Sequence, residues 1–168
     1  LRYRLTLWYR GRCLDQLGLA QMQDLVFADG LDGSYAIDRL ILLHDSILLV
    51  AYKPFSGNIY GSDHISEWTQ IIGQKSYKFP NPLFELDNQL AMIRLLIPNS
   101  VFGGFLFFDD NAKFPKGHPR RVLQSGNIPE YFLSRNCPIP NVEVLVAWEA
   151  LKSISDNVPV ESDASYKA

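Results

Sequence analysis

YAIDRLILLHDSILLVAYKPFSGNIY, residues 35–60, is the stretch on which the fold turns. Residues 37–43 and 46–53 are nearly continuous Ile, Leu, Val and Tyr, the composition of strands covered on both faces. His44-Asp45-Ser46 between them reads as a tight turn, and Ser56-Gly57 leads into a third, short run at Asn58-Ile59-Tyr60. Three polar side chains interrupt the apolar runs: Asp38, Arg39 and Lys53. Burying a carboxylate or an ammonium without a partner is costly, so each needs a reason. An acid early in one strand, facing a lysine late in the next, is a pattern that builds metal-assisted hydrolytic sites.

Before this core, residues 11–25 read as a helix. Asp15, Leu19, Met22 and Val26 fall at i, i+4, i+7 and i+11, which sets an acid on an apolar stripe. Asp15 there either complements the helix dipole or points toward the strands. Residues 28–34 are turn chemistry. After the core, residues 68–72 and 76–79 read as a strand pair around Gly73-Gln74-Lys75. Asn81 then Pro82 is a helix start, cap followed by first helical position. Leu83, Leu86, Leu90, Ile93 and Ile97 form its packing stripe, Glu85 and Gln89 lie on a second face, and Pro98 closes it. Residues 100–108 are a buried strand in which Gly103-Gly104 marks a bulge or a close backbone approach. Residues 122–123 add a short strand, residues 128–133 and 142–153 read as helical, and 154–168 as a polar tail.

With 168 residues, 47% hydrophobic and 20% charged, the chain is one globular domain with a proper core. A net charge of -2 is a poor footprint for tight duplex binding, which wants a basic face. The one local basic cluster is the 111–121 loop, with Lys113, Lys116, His118, Arg120 and Arg121. It reads as a solvated loop and is also the place where a phosphate backbone could be met. Cys13 and Cys137 lie far apart and favour two buried thiols over a disulfide framework. His44, His64 and His118 show no ligand spacing. No run approaches the roughly 18 apolar residues of a membrane span.

Asp38, Val50-Ala51-Tyr52-Lys53 and Ser56-Gly57-Asn58-Ile59 together resemble the nuclease-related domain (NERD) family, a branch of the PD-(D/E)xK nuclease-like fold. Asp15, Ile37-Asp38, Glu67-Trp68-Thr69-Gln70 and Phe79-Pro80-Asn81-Pro82-Leu83 extend the resemblance over residues 8–125. It implies an α/β fold: a mixed central sheet with helices 11–25 and 82–97 packed on it. It divides the chain into residues 1–10, a juxtamembrane or chain-end segment, residues 11–153, the nuclease-related domain, and the 154–168 tail. Many such proteins carry a membrane span, and LRYRLTLWYR at residues 1–10 suits a cytoplasmic interface. A chain opening on Leu1 is read as trimmed, with a cytoplasmic domain tethered through a preceding segment.

The resemblance assigns Asp38 as a magnesium ligand and Lys53 as the charge-stabilising group. Where the family has the Glu of Glu-x-Lys, this chain has Ala51, which carries no oxygen. Losing one preorganised transition-state donor costs about 10²–10³ in rate, and a lost ligand also weakens metal occupancy. The expectation is therefore a degenerate nuclease-like domain, retained for contact with nucleic acid (through Lys113, Lys116, Arg120 and Arg121) or with another protein or attached domain. Asp38 and Lys53 would then be a structural ion pair, or the lysine would reach water. The alternative is an active, magnesium-dependent DNA endonuclease in which another acid supplies the missing oxygen. Glu85 is the best placed for metal binding beside Asp38, with Asp15 and Asp45 behind it. A third reading is a structural interaction domain.

Overall fold

The computed structural model describes residues 13–28 and 33–156. The expectations for residues 1–10 and for the tail beyond residue 156 fall outside these. In chain order the strands are β1 (Ala20–Ala28), β2 (Ser34–Leu42), β3 (Ile47–Lys53), β4 (Gly57–Tyr60), β5 (Glu67–Ile72), β6 (Lys75–Pro80), β7 (Phe102–Phe108), β8 (Ala112–Lys113) and β9 (Val122–Leu123), and the helices are α1 (Pro82–Leu96) and α2 (Val142–Asp156).

The apolar runs of the opening stretch pair as an antiparallel hairpin, from Leu42↔Ile47 to Arg39↔Val50, its turn closed by the Leu43 N–H on the Ser46 carbonyl at 2.9 Å. They form the centre of a mixed five-stranded sheet, β1-β2-β3-β7-β9, in which β7 runs parallel to β3 and β9 parallel to β7. Both faces are covered, as the composition required. On one, Leu40, Leu42, Ile47, Leu49 and Ala51 pack with α1 and α2; on the other, Ile41, Leu43, Leu48 and Val50 pack with Leu14, Leu17 and Phe132. Gly104 lets α1 settle on β7: a Cβ there would lie 2.6 Å from the Leu90 side chain.

The expected single central sheet becomes two. Strands β6-β5-β4-β8 form a second, four-stranded sheet. Aromatic rings join it to the first: Phe55 stacks on Phe79 with centroids 4.4 Å apart, and Trp68 on Phe108 at 6.1 Å. Trp68 is fully buried.

The expected helix over residues 11–25 does not form. Among the described residues of that span only Cys13 and Leu14 are helical; turns and a bridge at Leu17 follow, and β1 begins at Ala20. What looked like helical spacing is a strand whose alternation slips by one residue. Ala20 and Met22 pack on the same core as Leu25 and Phe27. The slip falls at Asp24, whose φ of 52° is left-handed. The ladder passes from Gln23↔Arg39 to Leu25↔Ile37 and skips Asp24 and, opposite it, Asp38. The second helix on the sheet is α2 instead. The helix expected at 128–133 is two 3-10 turns, Glu130–Phe132 and Ser134–Asn136, in a stretch punctuated by Pro129, Pro138 and Pro140. α2 runs past the expected start of the tail to Asp156, with Ile154 packed on the core.

α1 begins where Asn81-Pro82 indicated. The Asn81 carboxamide oxygen accepts the Leu83 N–H at 2.9 Å. Its nitrogen donates to the carbonyls of Ser62, Asp63 and Ile65 at 3.2, 3.3 and 2.8 Å. Asn81 is 2% exposed, so water cannot replace these bonds. Asn81→Ala therefore costs about 3 kcal/mol, a lost cap plus stranded carbonyls, read as a lowered urea midpoint at unchanged slope.

Beyond Arg39↔Val50 the β2–β3 ladder stops, although both strands continue. The two arms of this fork carry backbone groups that side chains must satisfy. The Tyr52 N–H donates to Asp38 Oδ2 at 2.8 Å, and the Ala36 carbonyl accepts from Gln89 Nε2 of α1 at 2.9 Å. Asp38 thus replaces a missing rung. Asp38→Asn keeps an acceptor and leaves unfolding free energy nearly unchanged, whereas Asp38→Ala lowers it by about 1 kcal/mol; equal losses in the two variants would refute this role.

Candidate active site at the strand fork

The fork gathers Asp38 from β2, Tyr52 and Lys53 from β3, and Glu85 and Gln89 from α1. Lys53 lies two residues beyond Ala51 and shares its face of the sheet, the face on which α1 packs. Its Nζ sits 3.1 Å from Glu85 Oε2, the lysine side chain 19% exposed and the glutamate 62%. Glu85 reaches it from the first turn of α1, where the helix dipole favours a carboxylate. The partner of Lys53 is thus Glu85 rather than Asp38, whose Oδ2 is engaged by the adjacent Tyr52 N–H. Ala51, 6% exposed, packs in the core beneath.

The other acids fall elsewhere. Asp15 pairs with Arg39 at 3.0 Å. Arg39 lies opposite Val50, on the sheet face away from Lys53 and α1. Asp45 accepts from the Ser46 hydroxyl at 3.0 Å in the hairpin turn, at the far end of β3 from Lys53. Sequence reasoning passed over Asp109, the residue after the strand read at 100–108. It is 3% exposed, accepts the Tyr52 hydroxyl at 3.2 Å and the Asn111 N–H at 2.8 Å, and its own N–H donates to the Lys53 carbonyl at 3.3 Å. Asp109 therefore anchors the tip of β3 to β7. Its signal was a carboxylate directly after an apolar strand and two residues before a turn-forming Asn.

The basic loop emerges from this end of the fold, for the Gly57 N–H after β3 donates to the Asn111 carbonyl at 3.0 Å. Its cations are not equivalent. Arg121 binds both carboxylate oxygens of Asp87 on α1. The hydrogen bond to Asp87 pushes the guanidinium pKa up, against a smaller opposing effect of burial. Lys113 donates to the Asp110 carbonyl at 2.8 Å. Lys116 and Arg120 are exposed and have no ion-pair partner among the described residues.

Among the described residues no group of three or more His, Cys, Asp or Glu side chains is placed to hold a metal. The histidines follow suit, His44 bonding to the Ile139 carbonyl and His118 to that of Pro119. Both cysteines are free and half-buried, and burial together with the Asp110 charge pushes the Cys13 thiol pKa up. Among the described residues no helix is long and apolar enough to cross a membrane.

Residues 12–109 match the model of the nuclease-related domain, a span containing every residue of the fork. An uncharacterized protein of Bacillus anthracis is 31% identical over 65 residues, covering 39% of this chain and 31% of the relative, so the chain spans about a third of that protein's length. No solved structure matches. With more than half of its length matched by the family model, the chain belongs to the nuclease-related domain family.

Proposed function

We propose that this domain is a divalent-cation-dependent phosphodiesterase acting on nucleic acid, built on a PD-(D/E)xK-like core whose second carboxylate has moved from β3 to α1. The contact between Lys53 and Glu85 at 3.1 Å carries this reading. The family pattern places the carboxylate two residues before the lysine; here the neighbouring helix delivers one to the same ammonium. Stability does not explain the pair, because an ion pair with one exposed partner contributes under about 1 kcal/mol.

The donor set fits magnesium, which takes one or two protein carboxylates and retains water: Asp38 and Glu85 would hold it. Such an ion activates water and neutralises charge on the reacting phosphate. The chain's own groups do the rest. Tyr52 N–H holds the Asp38 carboxylate by engaging one oxygen, Oδ2, and the other would serve the ion. Lys53 supplies positive charge where the phosphate develops negative charge, and Asp109 steadies the strand tip from which it projects. Lys116 and Arg120, free of intramolecular ion pairs among the described residues, are placed to meet the flanking phosphates.

Cleavage of single- and double-stranded DNA and of RNA, assayed with magnesium or manganese, tests the reading. Wild-type protein should cut, Glu85→Gln should lose at least about 10²-fold in rate with little change in melting temperature, and Ala51→Glu added to Glu85→Gln should restore activity. If the wild type is inert and Ala51→Glu alone switches it on, the domain is a degenerate nuclease that kept its scaffold. Removing both Lys116 and Arg120 should flatten the salt dependence of nucleic-acid binding by about two phosphate contacts in log–log slope, measured by fluorescence anisotropy.

A further inference from the structure

One polar atom at the fork has no structural account. Gln89 Nε2 donates to the Ala36 carbonyl at 2.9 Å. A carbonyl only accepts, so the amide orientation is fixed, and Gln89 Oε1 is directed away from that bond. Oε1 is buried and has no hydrogen-bond partner among the described residues. Buried acceptors are rarely left unmet, and where one persists a bound water, ion or function usually explains it. Tying α1 to β2 required only a donor; the acceptor buried with it is surplus to that purpose.

The position of this oxygen says what it serves. Gln89 stands one turn from Glu85 on the same face of α1 (i, i+4). It is pinned to Ala36, two residues before Asp38 on β2. Counted onward from Arg39↔Val50, the place across from Ala36 belongs to Lys53. Gln89 thus stands beside the Glu85 that meets Lys53 and is tied to β2 close to Asp38, and it brings there a neutral oxygen held out of water. Hard cations accept amide oxygens alongside carboxylates. Two carboxylates and one neutral oxygen would balance a divalent charge without adding to the repulsion between Asp38 and Glu85.

We infer that Gln89 Oε1 is the third protein oxygen for the divalent cation, filling with an amide the position left by Ala51. This rests on the cation-dependent reading of the fork, and the test separates the two. Apo protein is titrated with manganese, followed by calorimetry and by the electron paramagnetic resonance of free manganese. Two variants are compared, Gln89→Met and Gln89→Glu. Both lose the bond to the Ala36 carbonyl; only the first loses the oxygen. Wild type should bind manganese, Gln89→Met at least about 10-fold more weakly, and Gln89→Glu at least as tightly as wild type. Thermal unfolding in chelator should fall in both variants, since both lose the tie to β2. If Gln89→Met binds like wild type, or if both variants weaken binding alike, Gln89 is a helix-to-strand tie and the inference falls while the proposed function stands. If wild type binds no manganese, both fall.

Discussion

Everything at the candidate site follows from the parting of β2 and β3 after Arg39↔Val50. A continued ladder would have satisfied every backbone group and left no room between the strands. Parting creates an opening and, with it, unmet donors and acceptors on both arms. Side chains answer them: the carboxylate of Asp38 takes the Tyr52 N–H, and the amide of Gln89 takes to the Ala36 carbonyl. Polar side chains are thereby fixed at the rim of an apolar core, where isolated charges would be expelled. The same need for backbone satisfaction that holds the strands together elsewhere places the site here.

The hairpin, its turn, the start of α1 and the buried β7 strand were legible because each carries a local signal. Continuous β-branched and leucine runs, Asn81-Pro82 and Gly103-Gly104 depend on few assumptions about the rest of the chain. Residues 11–25 were misread for a physical reason. Leu19, Met22 and Val26 keep the three-and-four spacing of a helix, but Leu19 and Val26 are exposed, and it is Ala20, Met22, Leu25 and Phe27 that pack on the core. The slip in alternation from Met22 to Leu25 is caused by the backbone of Asp24, a residue tolerated in the left-handed region but not marked by it in sequence. The second sheet was hidden because its strands are short and its union with the first is made by Phe55, Trp68, Phe79 and Phe108, whose partners are remote in sequence.

The site was legible in part. Asp38 and Lys53 stood out as charges in apolar strands, and Glu85 as an acid on a helix face that could restore a charge count. Sequence could not show that Glu85 reaches Lys53 while Asp15 is drawn to Arg39 on the opposite face, since that choice depends on whether residues 11–25 form helix or strand. Asp109 escaped notice, and Gln89 was seen only as part of a second helix face, because their significance is burial and bonding, both properties of the folded chain.

The proposed move of a carboxylate from strand to helix also makes energetic sense. At Ala51, a glutamate would start from a position 6% exposed and walled by apolar side chains, where an ionised group is costly before any cation arrives. At Glu85 the carboxylate is 62% exposed, sits in the first helical turn, and already faces an ammonium. Its helix is anchored by Asn81 through bonds shielded from water, so the reach from α1 is rigid at its base. A carboxylate carried on α1 exchanges the stiffness of a strand for a smaller desolvation cost, and the bond from Gln89 to β2 recovers part of that stiffness by tying helix to strand.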